Sequence, residues 1–366
     1  MTAWRSAVVG AALVLLGACA HAPARALPSP TAIDAEVARL MAREDVKGMA
    51  VAVINRGEVV HVGAYGLANV AEQRPLRTDT VMYGASLTKA AFAYFVMQLV
   101  DEGRFDLDRP LASYLPRSLP EYEDYADLAR DERWRALTAR HVLNHTTGFA
   151  NFRWLEDDQR LRFHSDPGSR YGYSGEGFYI LQLTLEEGLG LDVGAEMQRR
   201  VFDRFGMTRT SMQWRADFRP NLADGYGEDG SFEPHDERSS VSAAGSMDTT
   251  IADQARLWAG IVRGEGLSAG SREELTRAQF PILSAHQFPT LVPGGDPRGP
   301  AIGLSAGVGV VTFNDASGPI FFKGGHNDWT GNMVVCIERE RRCVVLLSND
   351  VRAERLYPDL VRAVLG

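Results

Sequence analysis

The chain has 366 residues, and 45% of them are hydrophobic, a proportion typical of globular proteins that bury a substantial core. Its 39 basic and 47 acidic residues give a net charge of −8. This acidic balance argues against a nucleic-acid-binding protein and against attachment to an anionic membrane through basic side chains.

The N-terminal region predicts export. The apolar run 7–16 is too short to span a bilayer stably, so residues 1–18 are predicted to form a signal peptide. Residues 16–19, Leu-Gly-Ala-Cys, resemble a bacterial lipobox, which implies cleavage before Cys19 and lipidation of its thiol. Ala20 follows, in place of the aspartate that would favour inner-membrane retention, so the expected location is the periplasmic side of the outer membrane. The alternative is an ordinary signal peptide with an incidental cysteine.

Residues 19–30, rich in Ala and Pro, are predicted to be a tether, and residues 31–366 to be a single domain. Hydrophobic periodicity separates helices from strands along this domain. The predicted helices are 32–43, 86–101, 137–143, 177–188, 250–263 and 356–365, and the predicted strands are 49–54, 59–62, 301–312, 319–322, 332–337 and 343–347.

This order of elements predicts an α/β (α+β) fold. An antiparallel-sheet lobe flanked by helices would comprise residues 31–105 and 240–366, and a mainly helical lobe, residues 106–239, would be inserted into it. A cleft between two such lobes is a common place for a binding site.

Two cysteines, Cys336 and Cys343, flank the charged segment 337–342, which is predicted to be the tip of a β-hairpin. An exported protein permits a disulfide between them, and two free buried thiols are the alternative. A zinc site is disfavoured because no second cysteine pair accompanies them.

The chain contains three lysines, Lys47, Lys89 and Lys323, among its 39 basic residues. Arginine cannot lose its proton at working pH, whereas a desolvated lysine can act as a base. In a sequence that prefers arginine so strongly, the few lysines are therefore candidates for a catalytic base.

Ser86 and Lys89 lie three residues apart at the start of a predicted helix and would share one face of it. A neutral Lys89 could then remove the proton that makes a serine hydroxyl a weak nucleophile. The helix N-terminus favours the alkoxide, and the Ser86 backbone N–H could donate to an oxyanion. The apolar flanks 81–83 and 90–92 predict that Lys89 is partly buried.

Several segments in order resemble the serine β-lactamase and penicillin-binding protein family, closest to the class C β-lactamase-like esterases and D-amino-acid peptidases. The resemblance extends over residues 32–366 and implies a β-lactamase/transpeptidase-like fold and acyl-enzyme chemistry without a metal or an organic cofactor. The segments that carry it are 49–54, 63–66, 83–89, 103–110 and 137–148.

The family's second motif, Tyr-x-Asn, is similar to residues 173–175. The resemblance assigns Tyr173 as general acid or base, and a neighbouring cationic lysine is expected to lower the pKa of its phenol. Gly175 stands where the family usually has the asparagine that holds the substrate amide, which argues against efficient β-lactam hydrolysis.

The third motif, Lys-Thr-Gly, is similar to residues 323–325. The resemblance implies that Lys323 helps to activate Tyr173 and attracts an anionic substrate group, that Gly325 lets the substrate approach, and that the His326 backbone N–H is the second oxyanion donor. Gly324 replaces the hydroxyl that could bind a substrate carboxylate. A competing register makes the His326 side chain catalytic.

The sequence thus predicts a serine hydrolase acting on a small-molecule or peptide substrate, with esters ahead of D-amino-acid peptides and β-lactams. It predicts no nucleic-acid partner, and membrane contact through the lipid anchor alone. One alternative is a catalytically impaired envelope protein that binds peptidoglycan or acyl fragments. Another is an α/β-hydrolase that uses Ser268 or Ser305, each within a G-x-S-x-G match. His141 and His145 lack an H-E-x-x-H pattern, which favours a structural role over zinc binding.

Overall fold

The computed structural model describes residues 26–284 and 294–366. The predicted signal peptide, Cys19 and most of the predicted tether lie outside the described residues. Within the described ranges, no helix has both the length and the apolar character needed to cross a membrane.

The strands of the described residues pair antiparallel throughout the main sheet. They are β1 (Gly48–Asn55), β2 (Glu58–Asn69), β3 (Arg74–Pro75), β4 (Met82–Tyr83), β5 (Gly225–Tyr226), β6 (Phe232–Glu233), β7 (Asp248–Thr249), β8 (Phe280–Pro281), β9 (Ser305–Ala306), β10 (Val311–Asp315), β11 (Gly318–Asn327), β12 (Thr330–Ile337) and β13 (Arg342–Ser348). The sheet order is β3-β2-β1-β13-β12-β11-β10-β9-β8, and β4–β7 and β5–β6 form two small separate ladders.

Helices cover both faces of this sheet, as the sequence predicted. They are α1 (Pro30–Glu44), α2 (Leu87–Asp101), α3 (Ala139–Leu143), α4 (Glu176–Leu189), α5 (Val193–Met197), α6 (Ile251–Arg263), α7 (Ala269–Thr276), α8 (Arg298–Ala301) and α9 (Tyr357–Leu365). Short 3₁₀ helices connect several of them between residues 111 and 221. The predicted mixed fold, an antiparallel sheet flanked by helices, is confirmed.

Strand β1 shows how the sheet separates two cores. Successive side chains of a strand point to opposite faces. Met49, Val51 and Val53 belong to the core that includes α1 and α9, whereas Ala50 and Ala52 belong to the core that includes α2 and α6. Both faces are therefore buried, which explains why β1 is a continuous apolar run without alternation.

Helix α2 lies between the sheet and the helical middle of the chain. All its residues from Leu87 to Leu99 are buried, Lys89 included. A helix that is apolar around its whole circumference is typical of such a central position. Any polar group that α2 carries into this core must therefore find its partners inside the protein.

The predicted strand 301–312 is wrong. The structure instead has α8, the short strand β9 and then β10. Gly303 and Gly309 interrupt the run with φ values of 67° and 75°, a left-handed conformation that glycine adopts without strain. The Gly309 N–H donates to the Leu143 carbonyl oxygen at 2.8 Å, and a Cβ on Gly309 would lie 2.4 Å from the Ala93 Cβ.

The predicted hairpin tip at 337–342 is present between β12 and β13. Cys336 and Cys343 face each other in the register of these strands and are joined by a disulfide. The structure therefore has the bonded alternative rather than two free thiols.

Candidate active site

Ser86 lies at the N-terminus of α2, directly after Ala85, whose φ is 47°. The Lys89 Nζ donates a hydrogen bond to the Ser86 Oγ at 2.9 Å. The spacing of three residues predicted this contact, because side chains one turn apart on a helix are neighbours. The structure thus places an amine against the hydroxyl that it would have to activate.

Lys89 has no exposed surface. Its Nζ also donates to the carbonyl oxygen of Ala244. The aromatic rings of Tyr173, Phe178 and Phe152 surround it, with centroids 5.2, 5.5 and 5.9 Å from the Nζ. Burial, and secondarily the positive charge of Lys323, holds the pKa of Lys89 well below its usual range. A neutral amine is the form that can accept a proton.

Tyr173 and Lys323 complete the polar centre of the site. The Lys323 Nζ donates to the Tyr173 hydroxyl at 3.2 Å and to the Gly324 carbonyl oxygen at 2.7 Å. Burial lowers the pKa of Lys323 to about 7. The second and third predicted motifs therefore meet beside Ser86.

The expectation of a lowered phenol pKa is wrong. Burial raises the pKa of Tyr173, and its hydrogen bond with Ser86 opposes this only in part. The physical reason is that Lys323 is itself desolvated and is not a full positive charge at neutral pH. Tyr173 rests as a phenol, which suits it to donate a proton.

Gly325 explains how β11 approaches α2 so closely. A Cβ at this position would lie 2.7 Å from the Gly84 carbonyl oxygen and 3.2 Å from the Ser86 backbone nitrogen. Real Cβ atoms do not approach backbone oxygens to 2.7 Å, so a larger residue would push the strand away from the helix N-terminus. The close approach that Gly325 allows here is between β11 and the N-terminus of α2; the approach of a substrate at Gly325 stays a prediction.

The side chain of His326 pairs with Glu354 and does not contact the reacting groups. Its Nδ1 is 2.9 Å from the Oε1 of Glu354, and this carboxylate raises the pKa of His326. Because the Lys323 Nζ, and not the His326 ring, contacts Tyr173, the geometry favours the register that assigns Lys323 to the motif. The role of the His326 backbone N–H as an oxyanion donor stays a prediction.

The place of the missing asparagine at Gly175 is taken by an aromatic ring. A Cβ on Gly175 would lie 2.1 Å from the Cε1 of Phe152. The Gly175 N–H donates to the Oδ1 of Asn151 at 3.1 Å. Sequence reasoning missed both Asn151 and Phe152. The sequence signal that could have revealed them is Gly175 itself. A glycine where the family usually has an asparagine indicates that another residue fills the space of the missing side chain.

A cleft of about 600 Å³ opens at Ser86. This volume is within the usual range of small-molecule sites. Its lining combines the predicted site residues with apolar side chains from four other parts of the chain that sequence reasoning did not connect. The lining residues are Ser86, Asn151, Phe152, Tyr173, Phe313, Phe322, Gly324, Gly325, His326, Asn332, Met333, Val335, Glu354, Tyr357, Pro358 and Val361.

The two histidines of the 137–148 segment have structural partners. The ring of His145 stacks on Tyr173 with centroids 4.1 Å apart, and its Nδ1 accepts from the Ser174 N–H at 3.2 Å. Burial lowers the pKa of His145 well below its usual range. The Nδ1 of His141 accepts from the Thr138 N–H at 3.3 Å. Across the part of the chain that the structure describes, no cluster of His, Cys, Asp and Glu could hold a metal ion.

The two serines of the G-x-S-x-G matches also have structural hydrogen bonds. Ser268 is the N-cap of α7, where its Oγ accepts from the Ser271 N–H at 3.1 Å and donates to Asp101 at 2.6 Å. The Oγ of Ser305 donates to the Gly303 carbonyl oxygen at 3.1 Å. Neither serine lies in the strand-to-helix turn that an α/β-hydrolase requires, since Ser268 lies between α6 and α7 and Ser305 lies in β9.

Comparison with known proteins identifies the family of this chain. The family model described as Beta-lactamase matches residues 33–365. Esterase EstB of Burkholderia gladioli is 33% identical over 137 residues, covering 34% of this chain and 33% of that protein. A D-aminopeptidase of Brucella anthropi is 28% identical over 187 residues, covering 50% of this chain and 36% of that protein. The chain therefore aligns with about a third of the length of these relatives.

Solved structures show the same fold. A class C beta-lactamase superposes with a TM-score of 0.73 at 16% identity, covering 92% of this chain and 95% of that one. A penicillin-binding protein from Bacillus halodurans gives a TM-score of 0.69 at 20% identity, covering 88% and 98%. With a family match along almost the whole described chain and a serine–lysine pair at the start of its central helix, this chain belongs to the Beta-lactamase family.

Proposed function

We propose that this protein is a serine hydrolase that cleaves esters through an acyl-enzyme intermediate. The observation that carries the proposal is the 2.9 Å contact between the Ser86 Oγ and the Nζ of a fully buried Lys89. A serine hydroxyl becomes a competent nucleophile when an adjacent base removes its proton. Burial lowers the pKa of Lys89 and so favours the neutral form that a base requires.

The reaction follows from this arrangement. The Ser86 Oγ attacks the ester carbonyl as its proton passes to the Lys89 Nζ. The oxyanion would accept hydrogen bonds from the backbone N–H groups of Ser86 and His326. As the bond to the leaving oxygen breaks, that oxygen takes a proton from the Tyr173 hydroxyl. Lys89 then passes the proton that it took from Ser86 to Tyr173. Water then attacks the acyl-Ser86 ester as Lys89 takes one of its protons. Lys89 returns this proton to the Ser86 Oγ as the acyl–oxygen bond breaks, which releases the carboxylic acid and restores the Ser86 hydroxyl.

The charges of the cleft favour esters over anionic substrates. Among the described lining residues, the charged side chains are His326 and Glu354, which pair with each other. Lys323 points to Tyr173 and to a backbone carbonyl, and Gly324 offers no hydroxyl. A substrate carboxylate, which D-amino-acid peptides and β-lactams carry, would find few free donors here. We therefore rank esters first, D-amino-acid peptides second and β-lactams third.

A second candidate function is an envelope protein that binds acyl or peptidoglycan fragments with impaired turnover. The altered motif positions Gly175 and Gly324 favour it, since both remove groups that could hold a substrate. Its cleft would bind without forming a covalent bond to Ser86. The two functions therefore differ in whether Ser86 reacts.

We also propose that the protein is a lipoprotein anchored through Cys19, facing the periplasm at the outer membrane. The support is the apolar run 7–16 followed by the lipobox-like residues 16–19. The anchor would hold the hydrolase at a membrane surface without a membrane-spanning helix.

Labelling with a fluorophosphonate tests the nucleophile. We expect mass spectrometry to find the adduct on Ser86, because this hydroxyl has the neutral amine beside it. The Ser86→Ala variant should lose the label, and the control Ser268→Ala should keep it. An unlabelled wild-type protein would favour the binding function, and an adduct on Ser268 or Ser305 would favour the α/β-hydrolase alternative. Rates on a chromogenic ester and on a chromogenic cephalosporin then rank the substrates.

Replacement of Lys89 by arginine tests the base. Because a guanidinium stays charged, we expect Lys89→Arg to lose about a hundredfold or more in kcat. Lys89→Met, which adds no buried charge, should show the same loss in kcat, and its melting temperature should stay near that of the wild type. The matched control is Lys47→Arg, since Lys47 makes a surface ion pair with Asp45.

The pH dependence of the wild type follows from the same base. Lys89 must be neutral to accept a proton, so kcat/KM should be high above its pKa and should fall as the pH drops through it. Because that pKa is held well below the usual lysine range, activity should persist at neutral pH. A Lys89→Arg enzyme with the wild-type pH profile and rate would rule out Lys89 as the base.

Restoring the family's asparagine at Gly175 tests the steric role of Phe152. The backbone of Gly175, at φ −78° and ψ −31°, accepts any residue, so the cost of Gly175→Asn comes from the clash with the ring. We expect the free energy of unfolding in urea to fall by about 1–3 kcal/mol. Combining it with Phe152→Ala should remove much of the clash, measured as a coupling energy in a double-mutant cycle.

Gly324→Thr serves as the control for that experiment. A Cβ on Gly324 would meet its nearest atoms at 3.8 Å, so stability should change little. If Gly175→Asn were as stable as wild type, Phe152 would not occupy the place of the missing side chain.

The lipid anchor is tested in a bacterial host fed an alkyne fatty acid. The wild-type protein should incorporate the label and sediment with outer membranes, whereas Cys19→Ser should be unlabelled and leave the membrane fraction. A wild-type protein that is exported, cleaved and unlabelled would show an ordinary signal peptide instead.

A further inference from the structure

The cleft at Ser86 continues past the edge of β11. Strand β10 pairs with β11 only as far as Val311 and Phe322, so the edge from Lys323 onward is not covered by β10. Ser86 lies on the α2 side of this edge, and Val361 of α9 lies on the opposite side of the sheet. Both line the same cleft. A substrate at Ser86 can therefore extend across the edge of the strand.

The far part of this cleft, which we call the apolar groove, is lined by Phe313, Phe322, Met333, Val335, Pro358 and Val361. Phe322 and Val335 face each other across β11 and β12, and the ring of Phe313 meets that of Phe322 edge-on at a centroid distance of 6.0 Å. Phe313, Phe322, Met333 and Val361 are each only partly buried, and all pack against the core shared with α1 and α9.

Gly324 keeps the passage between Ser86 and the apolar groove open. It is paired with Met333 in the register of β11 and β12, and it stands between Phe322 and His326 on the same face of β11. A Cβ here would have the Asn332 carbonyl oxygen and the Met333 Cε as its nearest atoms, both 3.8 Å away. Unlike Gly325, Gly324 is not required by close packing. Its absent side chain leaves space that a substrate can use.

The charge distribution around the apolar groove favours an uncharged ligand. The charged residues of the cleft, His326 and Glu354, neutralise each other 2.9 Å apart. No charged side chain is among the described residues that line the groove itself. A charged group entering this part would lose its hydration without gaining a partner, whereas an apolar chain would gain by leaving water.

We propose that the apolar groove binds an extended, uncharged hydrocarbon chain of an ester whose carbonyl carbon reacts with Ser86. This inference rests on the proposed ester hydrolysis and adds its substrate class, medium-chain to long-chain neutral esters. The chain belongs either to the acid or to the alcohol, because the groove begins beside both the nucleophile and Tyr173. Each methylene that leaves water in the transition state should raise kcat/KM about threefold to fourfold, until the groove is filled.

Two substrate series test the proposal on the full-length protein. In the first, p-nitrophenyl esters run from acetate to decanoate. In the second, acetate esters of alcohols run from ethanol to decanol, with acid release measured. We expect kcat/KM to rise with chain length in one series, which identifies the chain that enters the groove, and to stay level in the other.

Variants then connect the length dependence to the groove. Val361→Asp places a charge among the apolar lining residues and should lower the decanoate-to-acetate ratio of kcat/KM at least tenfold, or the decanol-to-ethanol ratio if the alcohol chain enters. The charge-matched control is Ala363→Asp, two residues along α9 and outside the lining, which should keep the wild-type ratio. Gly324→Leu, which narrows the passage without a backbone clash, should lower the same ratio independently of α9.

The outcomes separate this inference from the proposed function. Hydrolysis that depends on Ser86 but is flat in both series, or a length dependence that survives both Val361→Asp and Gly324→Leu, would overturn the groove assignment and leave the ester hydrolase standing. Turnover that persists in Ser86→Ala would overturn the proposed function itself.

Discussion

The site depends on one contact, the hydrogen bond from the fully buried Lys89 to Ser86. The pKa of this lysine is held well below its usual range because α2 is buried on all sides, between the sheet and the helical middle of the chain. A charged ammonium in that position would lose its hydration at large cost, so burial favours the neutral amine. The same packing that stabilises the fold therefore lowers the pKa of the base, Lys89. The Ala244 carbonyl and three aromatic rings complete the surroundings of the amine.

The two faces of strand β11 contribute different parts of the cleft. Lys323 and Gly325 face α2, where one contacts Tyr173 and the other lets the strand meet the helix N-terminus. Phe322 and Gly324 face α9, where they border the apolar groove. Because successive residues of a strand alternate sides, the four residues 322–325 can position reacting groups and also shape the space for a substrate.

The departures from the family pattern have different physical origins. At Gly175 the space is already filled by Phe152, which also lies within 5.9 Å of the Lys89 amine and helps to exclude water from it. At Gly324 a Cβ would fit without a clash, 3.8 Å from its nearest atoms, and the position lines the cleft. One substitution thus strengthens the desolvation of the base, and the other enlarges the region available to substrate. Both departures agree with the proposed preference for apolar esters over anionic substrates.

The sequence by itself determined the parts of the site that local geometry controls. Ser86 and Lys89 must be neighbours once α2 is a helix, and Cys336 must face Cys343 once the hairpin forms. Only the tertiary structure decided that Phe152 fills the space beside Gly175, that the phenol of Tyr173 keeps its proton, and that β10, β11, β12 and α9 together line one groove. The reason is that helix and strand periodicity constrain residues a few positions apart, whereas desolvation and steric exclusion depend on which distant segments pack together.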